Sequence, residues 1–171
     1  MRAAQVTLKQ EVTRNDALII QGWMEDQEVT RYLNEASDIS YAISQAVSRV
    51  NLFIMTHLFS QNGSFFIIYN SRNCPVGFLR LVHRGSEAEM VIVIGDRNNW
   101  GNGLGTGAIF QGLRHAFFEW RIPRVIAKIK PDNHRSVKAF EKAGFQCKKE
   151  LDNLKLFHIS QEDYIRQQLQ S

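Results

Sequence analysis

Glycines occupy every second position in one short stretch of the chain, at Gly101, Gly103, Gly105 and Gly107. They follow an apolar segment and open a pattern with helical spacing. Because glycine has no Cβ atom, such a loop lets the backbone pass close to a bulky group. The first N–H groups of a helix have no partner within the helix and carry a partial positive charge. Together these features predict a phosphate-binding loop.

Spacing excludes two better-known phosphate loops. A dinucleotide fingerprint, G-x-G-x-x-G, would need its third glycine at position 106 or 108, where the chain has Thr106 and Ala108. A P-loop needs a lysine directly after its last glycine, and no glycine here precedes a lysine. The loop is therefore expected to hold a diphosphate through its backbone alone.

Two separate segments carry a family resemblance. Trp100–Thr106 resembles the acetyl-CoA loop of the GNAT N-acetyltransferase superfamily, [QR]-x-x-G-x-[GA], with Trp100 in place of the usual Gln or Arg. Asn133–Phe145 is similar to the family's N-x-x-[AS]-x-x-x-[YF]-E-K-x-G-F segment. A weaker match, Trp23–Leu33, resembles the subgroup of ribosomal-protein N-terminal, aminoglycoside and polyamine acetyltransferases.

The resemblance implies a fold as well as a cofactor. It implies an α/β (α+β) mixed sheet of the GNAT-like acyl-CoA N-acyltransferase kind, as a single domain over residues 1–171. Strands first, followed by helix, strand, helix and strands, agree with that architecture. The family's strands equivalent to residues 88–95 and 125–130 splay apart, and the pantetheine arm of acetyl-CoA lies in the gap.

The resemblance also implies the residues that bind acetyl-CoA. They are Ile92, Val93, Ile94, Trp100, Gly101, Asn102, Gly103, Leu104, Gly105, Thr106, Asn133 and Phe140. Asn133 is also expected to cap a helix. Many family members have Tyr at the position of Phe140, where it is taken to protonate the leaving thiolate. Either another group protonates the thiolate here, or it leaves unprotonated, stabilised by the helix N-terminus at Asn133.

An amine must lose its proton before it can attack a thioester, so a general base is required near neutral pH. Glu89 lies at the start of an apolar strand, on the same face as Val91 and Val93. The resemblance implies that a Glu on this strand accepts the proton, often through water. The alternative is that Glu87 and Glu89 are exposed at the end of a strand.

Charges are distributed unevenly along the chain. Residues 25–38 hold five acidic residues against Arg31 alone, and residues 121–155 hold ten basic residues against four acidic ones. The basic part would attract the phosphates of coenzyme A, and the acidic part would favour a cationic amine. Solvated surfaces are the alternative interpretation. Three residues of the N-terminal part fall where the family builds its acceptor pocket: Trp23, Glu25 and Tyr32.

Composition narrows the class of protein. The net charge of +4 and the 44% hydrophobic content are ordinary for a globular chain. No apolar run is long enough to span a membrane, and the N-terminus lacks a signal-peptide pattern. The low number of cysteines, Cys74 and Cys147 alone, suggests a reducing, cytoplasmic location. The two cysteines do not have the spacing of metal ligands and the five histidines are scattered, so no metal site is predicted.

The sequence therefore predicts an acetyl-CoA-dependent N-acetyltransferase, an acyltransferase acting on a primary amine by direct attack in a ternary complex. A protein N-terminus, an aminoglycoside-like amino sugar and a polyamine remain open as acceptors, with a gentle preference for a cationic one. The alternative function is a non-catalytic acyl-CoA-binding module, which Phe140 keeps open. Nucleic acid and membranes are not expected as partners, and the protein is expected to be a monomer or a homodimer.

Overall fold

A seven-stranded sheet forms the centre of the computed structural model, which describes residues 3–33, 36–49 and 51–170. The strand order is β1-β2-β3-β4-β5-β7-β6, and every neighbouring pair is antiparallel except β4 and β5. The strands are β1 Val6–Lys9, β2 Gly63–Asn70, β3 Pro75–Arg84, β4 Glu87–Ile94, β5 Arg124–Ile129, β6 Gln146–Leu151 and β7 Leu154–Ser160. The predicted mixed sheet is confirmed, with β4 at its centre.

Helices cover both faces of the sheet. They are α1 Arg14–Glu25, α2 Gln27–Thr30, α3 Ala36–Arg49, α4 Thr56–Phe59, α5 Leu104–Arg114, α6 His134–Lys142 and α7 Gln161–Gln170. A 3₁₀ turn, Arg97–Asn99, precedes α5, and a π-helical turn, His115–Glu119, follows it. Within the three described stretches, no helix has both the length and the apolarity needed to cross a bilayer.

Two hydrophobic cores lie on opposite sides of the sheet. The larger packs the helices α5, α6 and α7 against one face and includes Met90, Ile109 and Phe117. The smaller packs α1, α2 and α3 against the other face, through residues such as Phe78 and Val93. Successive residues of β4 therefore enter different cores, because side chains alternate across a strand. This explains why β4 is apolar on both faces.

The N-terminal third differs in detail from the sequence-based expectation. From sequence alone, Asn15 or Asp16 is expected to cap a helix that runs to about Glu25. The cap of α1 is instead Thr13: its hydroxyl accepts from the Asp16 N–H, and the Asp16 carboxylate accepts from the Thr13 N–H. The helical spacing of Ile43, Val47, Val50 and Ile54 likewise predicts a helix over residues 39–58, which is wrong, because α3 ends at Arg49 and Ile54 forms a β-bridge with Thr13. Val50, part of that prediction, lies outside the described residues.

Candidate active site

The two parallel strands at the centre of the sheet diverge along their length. β4 and β5 pair only at Ala88–Val125 and Glu89–Ile126, although each strand continues beyond that point. A cleft of about 450 Å³ opens where the pairing stops. Its walls are β4 and β5, and its lining also includes the glycine loop with the start of α5, the start of α6, and α2 with the residues that follow it. The predicted separation of these strands is thus present.

Two different structural reasons account for three of the four glycines of the loop. Gly101 and Gly103 have φ angles of 80° and 76°, a left-handed conformation that other residues adopt at a cost. At Gly107 a Cβ atom would collide with the backbone carbonyl of Ala4, which crosses the helix there. At Gly105 a Cβ atom would lie 4.0 Å from the side chains of Ile92 and Ile94, so a methyl group has room. Gly105 is therefore the one glycine of the loop that neither a left-handed backbone angle nor a nearby backbone atom requires.

The start of α5 presents unused hydrogen-bond donors to the cleft. The first helical hydrogen bond runs from the Gly107 N–H to the Gly103 carbonyl, at 3.0 Å. The N–H groups of Leu104, Gly105 and Thr106 have no acceptor within the described residues, and Gly103 provides no side-chain cap. These donors, together with the helix dipole, form an anion-binding site.

Trp100 lies between the loop and the opposite wall. Its indole N–H donates to the Ile94 carbonyl at 2.8 Å, which fixes the ring against the end of β4. The guanidinium of Arg135, at the start of α6, lies 3.3 Å from the centre of the ring. Burial lowers the pKa of Arg135 from its ordinary value. A cation–π contact thus joins the loop to α6 across the mouth of the cleft.

The start of α6 forms part of the wall on the β5 side. The Asn133 side-chain oxygen accepts from the Ser136 N–H at 3.3 Å, so Asn133 caps the helix as predicted, and it also lines the cleft. Phe140 is 2% exposed and packs edge-on against Phe145, with ring centres 4.9 Å apart. Phe140 belongs to the core and touches the cleft with its ring. Its phenyl group supplies no proton.

Glu89 lies next to the cleft, at the last paired position before β4 and β5 separate. Its Oε2 accepts from the Arg84 Nε–H at 2.8 Å and lies 3.5 Å from the Lys128 Nζ. The Glu89 side chain is 12% exposed. Its Oε1 has no hydrogen-bond partner within the described residues. Because this oxygen is not enclosed by protein atoms, water reaches it. Lys128 lines the cleft beside it, so Glu89 is adjacent to the cleft rather than part of its surface.

The segment from Trp23 to Tyr32, in which the acceptor pocket is expected, differs in structure from the sequence-based expectation. Tyr32 lines the cleft, and its hydroxyl donates to the Asp132 carbonyl at 3.3 Å. The ring of Trp23 instead lies flat against the backbone of Gly95 and packs into the smaller core, and Glu25 is exposed away from the cleft. Of the carboxylates in this segment, that of Glu28 lines the cleft.

The acidic run around α2 has mainly structural contacts. Asp26 caps α2 by accepting from the Glu28 N–H and forms an ion pair with Arg97. Glu35 lies outside the described residues, as does the side chain of Asp38. Of the described acidic residues in the run, the cleft receives only Glu28.

Most of the predicted site residues are brought together. Those that line the cleft are Tyr32, Ile92, Val93, Ile94, Trp100, Gly101, Gly103, Leu104, Gly105, Thr106, Asn133 and Phe140. Those that lie outside its lining are Trp23, Glu25, Glu89 and Asn102. Sequence reasoning missed several charged residues of the lining: Glu28, Lys128, Lys130, Arg135, Lys138 and Lys142. Alternation along β5 and the four-residue spacing of two lysines on α6 could have indicated them.

Comparison with known families decides the assignment. Residues 6–146 match the family model described as "Acetyltransferase (GNAT) domain". The chain belongs to the GNAT acetyltransferases. The chain is also 27% identical, over 145 residues, to the "Uncharacterized N-acetyltransferase p20" of Bacillus licheniformis, an alignment that covers 83% of this chain and 79% of that one. The predicted class of enzyme, an N-acetyltransferase, is thereby confirmed.

Solved GNAT structures share the fold at low sequence identity. The spermidine N-acetyltransferase of Vibrio cholerae, in complex with CoA and spermine, has a TM-score of 0.74 at 17% identity, covering 94% of this chain and 98% of that one. The aminoglycoside acetyltransferase AAC(6')-Ib, in complex with coenzyme A and kanamycin, has a TM-score of 0.74 at 16% identity, covering 96% and 99%. Coenzyme A is bound in both, in accord with acetyl-CoA as the GNAT cosubstrate.

Proposed function

We propose that this GNAT protein transfers the acetyl group of acetyl-CoA to a primary amine, by direct attack within a ternary complex. The observation that carries the proposal is the arrangement of the cleft. Three unused N–H groups at the start of α5 open onto the same cleft that separates β4 from β5. Lys138 and Lys142 line that cleft from α6. The start of α5 and the two lysines thus suit the phosphates of coenzyme A, and the part lined by Glu28 and Tyr32, here named the acceptor end, remains for the amine.

Glu89 is proposed to accept the proton of the amine through water. Its Oε2 is held by Arg84 and Lys128, which orients the carboxylate, and its Oε1 is the oxygen open to water. A general base can act through one intervening water molecule. Glu28 is a second candidate because it lines the cleft directly, at the acceptor end. Its exposed position makes it better suited to contacting the acceptor than to removing its proton.

The leaving thiolate is proposed to depart without a tyrosine acid. Phe140 occupies the position at which that acid would stand and has no ionisable group. The N-terminus of α6, capped by Asn133, opens onto the cleft and carries a partial positive charge. A thiol titrates near 8.5 in model compounds, so a thiolate is a feasible leaving group at neutral pH. The positive end of α6 then stabilises the negative charge that develops.

The test is acetyl transfer measured as the release of free thiol from acetyl-CoA. The panel contains a polyamine, an aminoglycoside and peptides with free N-termini, each supplied to the purified full-length chain. We expect saturable thiol release with at least one of these amines, and an acetylated product of the matching mass. Glu89→Gln provides the variant in which the proposed proton acceptor is removed.

One result would favour the alternative, a non-catalytic acyl-CoA-binding module. In that case coenzyme A would stabilise the protein against heat, yet no amine in the panel would release thiol. If coenzyme A caused no change in thermal stability and no heat in calorimetry, the anion site at α5 would be wrongly assigned as well.

A further inference from the structure

One face of the sheet carries an unusual concentration of positive charge next to the cleft. Side chains directly opposite in register share a face, and the ion pairs between Arg84 and Glu89 and between Arg124 and Glu87 place both arginines on the face of Glu89. Five strand residues on this face are basic, Arg80, Arg84, Arg124, Lys128 and Lys149, and Lys130 directly after β5 continues the alternation and lines the cleft. We call these six residues the basic strip.

The carboxylates on the same face do not balance this charge. Glu87 pairs with Arg124 at 3.2 Å, and Glu89 lies between Arg84 and Lys128. These are the two acidic residues that β3, β4, β5, β6 and β7 place on that face, so four of the six positive charges are uncompensated. Arg80, Lys130 and Lys149 form no ion pair with any carboxylate among the described residues.

Helices leave the outer part of this face open. The smaller core, which covers the face over β2, β3 and β4, contains no described residue of β5, β6 or β7. Lys128 and Lys149 are exposed. Leu156, which lies between them, and Ile126, the neighbour of Lys128 along β5 on this face, are half-buried. A ligand can therefore reach the strip from solvent, on the side of the cleft that also holds Tyr32 and Glu28.

One residue of the strip, Lys128, lies at the opening between β4 and β5, where the proposed function places the reacting amine. The last β4–β5 pair is Glu89–Ile126, and continuing that register places Lys128 across the opening from Val91. From Lys128 the strip crosses β7 at Leu156 and reaches Lys149 on β6. Strands lie about 4.8 Å apart, so Lys128 and Lys149 are separated by roughly 10 Å. A single amino acid is too short to reach from one lysine to the other, whereas an extended peptide of about three residues spans that distance.

We infer that the acceptor is the N-terminal amine of a peptide or protein segment with aspartate or glutamate residues close behind it, an inference that rests on the proposed function. The amine enters the cleft beside Lys128, and the following carboxylates lie along Lys130 and Lys149. A nucleic acid is also anionic, but the strip has no Phe, Tyr or Trp between its cations on which bases could stack. The acidic run at residues 25–38 favours a cationic acceptor in the sequence analysis. We prefer an acidic acceptor because that run supplies only one described carboxylate, Glu28, to the cleft.

The experiment compares two matched peptides as acceptors for the full-length protein. Both have a free N-terminal serine; one continues with aspartate and glutamate, and the other has asparagine and glutamine in their places. We expect kcat/KM for the acidic peptide to be higher by on the order of tenfold at low salt, because several ion pairs act together. The difference should shrink as salt is added, because exposed charges are screened.

A matched pair of variants locates the effect. Lys149→Gln should raise KM for the acidic peptide about two- to fivefold, the range expected for one exposed ion pair, with kcat unchanged. Lys155→Gln is the control, because Lys155 pairs in register with Glu150 and Ile129 on the opposite face of the sheet. It should leave both peptides unaffected, and Lys149→Gln should leave the amide peptide unaffected.

Equal kcat/KM for the two peptides would overturn the inference. So would faster turnover of spermidine, kanamycin or an amine-bearing oligonucleotide than of the acidic peptide, although each of these would leave the proposed function intact. Absence of thiol release with every amine would instead overturn the proposed function, and the inference with it.

Discussion

At the scale of single residues, the environment of Glu89 decides how it can act. The sequence places it on an apolar strand, and the structure adds two cations that hold one carboxylate oxygen while the other stays open to water. The cations come from β3 and β5, which are distant in the chain, so only the fold could reveal them. The position of Trp23 also becomes visible only in the fold, because its ring packs against Gly95 and does not line the cleft.

Replacing Glu89 by Gln should lower kcat/KM by about 10²- to 10⁴-fold at neutral pH, the usual contribution of a general base. Thiol release from acetyl-CoA at neutral pH measures it. Glu28→Gln is the matched control at the acceptor end, where we expect a change of about threefold or less, mainly in KM. A larger loss in kcat for Glu28→Gln than for Glu89→Gln would assign the base to Glu28.

His115 should make the stability of the protein depend on pH. Burial lowers the pKa of His115 from its ordinary value, an effect that Glu119 partly opposes, and the ring contacts Phe66 and Trp120. Because the unfolded chain binds this proton more readily, stability is fully present above about pH 6.5 and falls as the pH drops below that value.

The measurement is the melting temperature between about pH 8 and pH 5. His115→Phe keeps an aromatic ring in place and should reduce the fall in Tm on acidification. His57→Gln, at an exposed position, serves as the control and should follow the wild type. Identical pH curves for His115→Phe and wild type would show that His115 does not contribute.

At the scale of elements, the start of α5 separates the demands of folding from those of binding. Gly101 and Gly103 serve the turn, Gly107 serves the crossing with Ala4, and Gly105 has space for a methyl group. The sequence shows four equivalent glycines, because a spacing pattern carries no information about backbone angles or about what crosses nearby. The helix, its cap-free start and its anion preference were all predictable from local rules.

Gly105→Ala should therefore move stability and binding in opposite directions. Alanine in place of a helical glycine should stabilise the fold by about 0.5–1 kcal/mol. The added methyl group should weaken coenzyme A binding by on the order of tenfold, about 1.4 kcal/mol, by keeping the diphosphate from the N–H groups. Chemical denaturation and calorimetry measure the two effects. Gly107→Ala, which collides with Ala4, should destabilise the fold instead, and unchanged coenzyme A affinity in Gly105→Ala would place the phosphates elsewhere.

At the scale of the whole molecule, much of the architecture was predictable and the acceptor side was not. The strands from residue 63 onward, the helices after the loop and the separation of β4 from β5 follow from period, punctuation and family resemblance. The error over residues 39–58 arose because apolar spacing alone could not show that Ile54 pairs with Thr13, which is distant in sequence. The basic strip was hidden for a related reason: its members lie on or directly after β3, β5 and β6, which are distant in the chain, and β7 lies between β5 and β6 in the sheet.

Coenzyme A should stabilise the entire fold if it bridges the two walls of the cleft. At a concentration of about 100 times Kd, a ligand that binds only the folded state adds about 2.7 kcal/mol. For a chain of this size that corresponds to a rise in Tm of roughly 5–10 °C, which differential scanning fluorimetry can measure. Coenzyme A without its 3′-phosphate should give a smaller rise, because Lys138 and Lys142 lose a charge to pair with. Equal shifts would mean that these lysines do not contact that phosphate.

The contact between Trp100 and Arg135 has a practical consequence. The indole is one of three in the chain, and it is the one at the mouth of the cleft, covered on one side by a guanidinium. Any molecule that enters between the two walls must alter the polarity around that chromophore. The protein thus carries an intrinsic optical reporter, so ligand entry can be followed by its ultraviolet emission without attaching a dye.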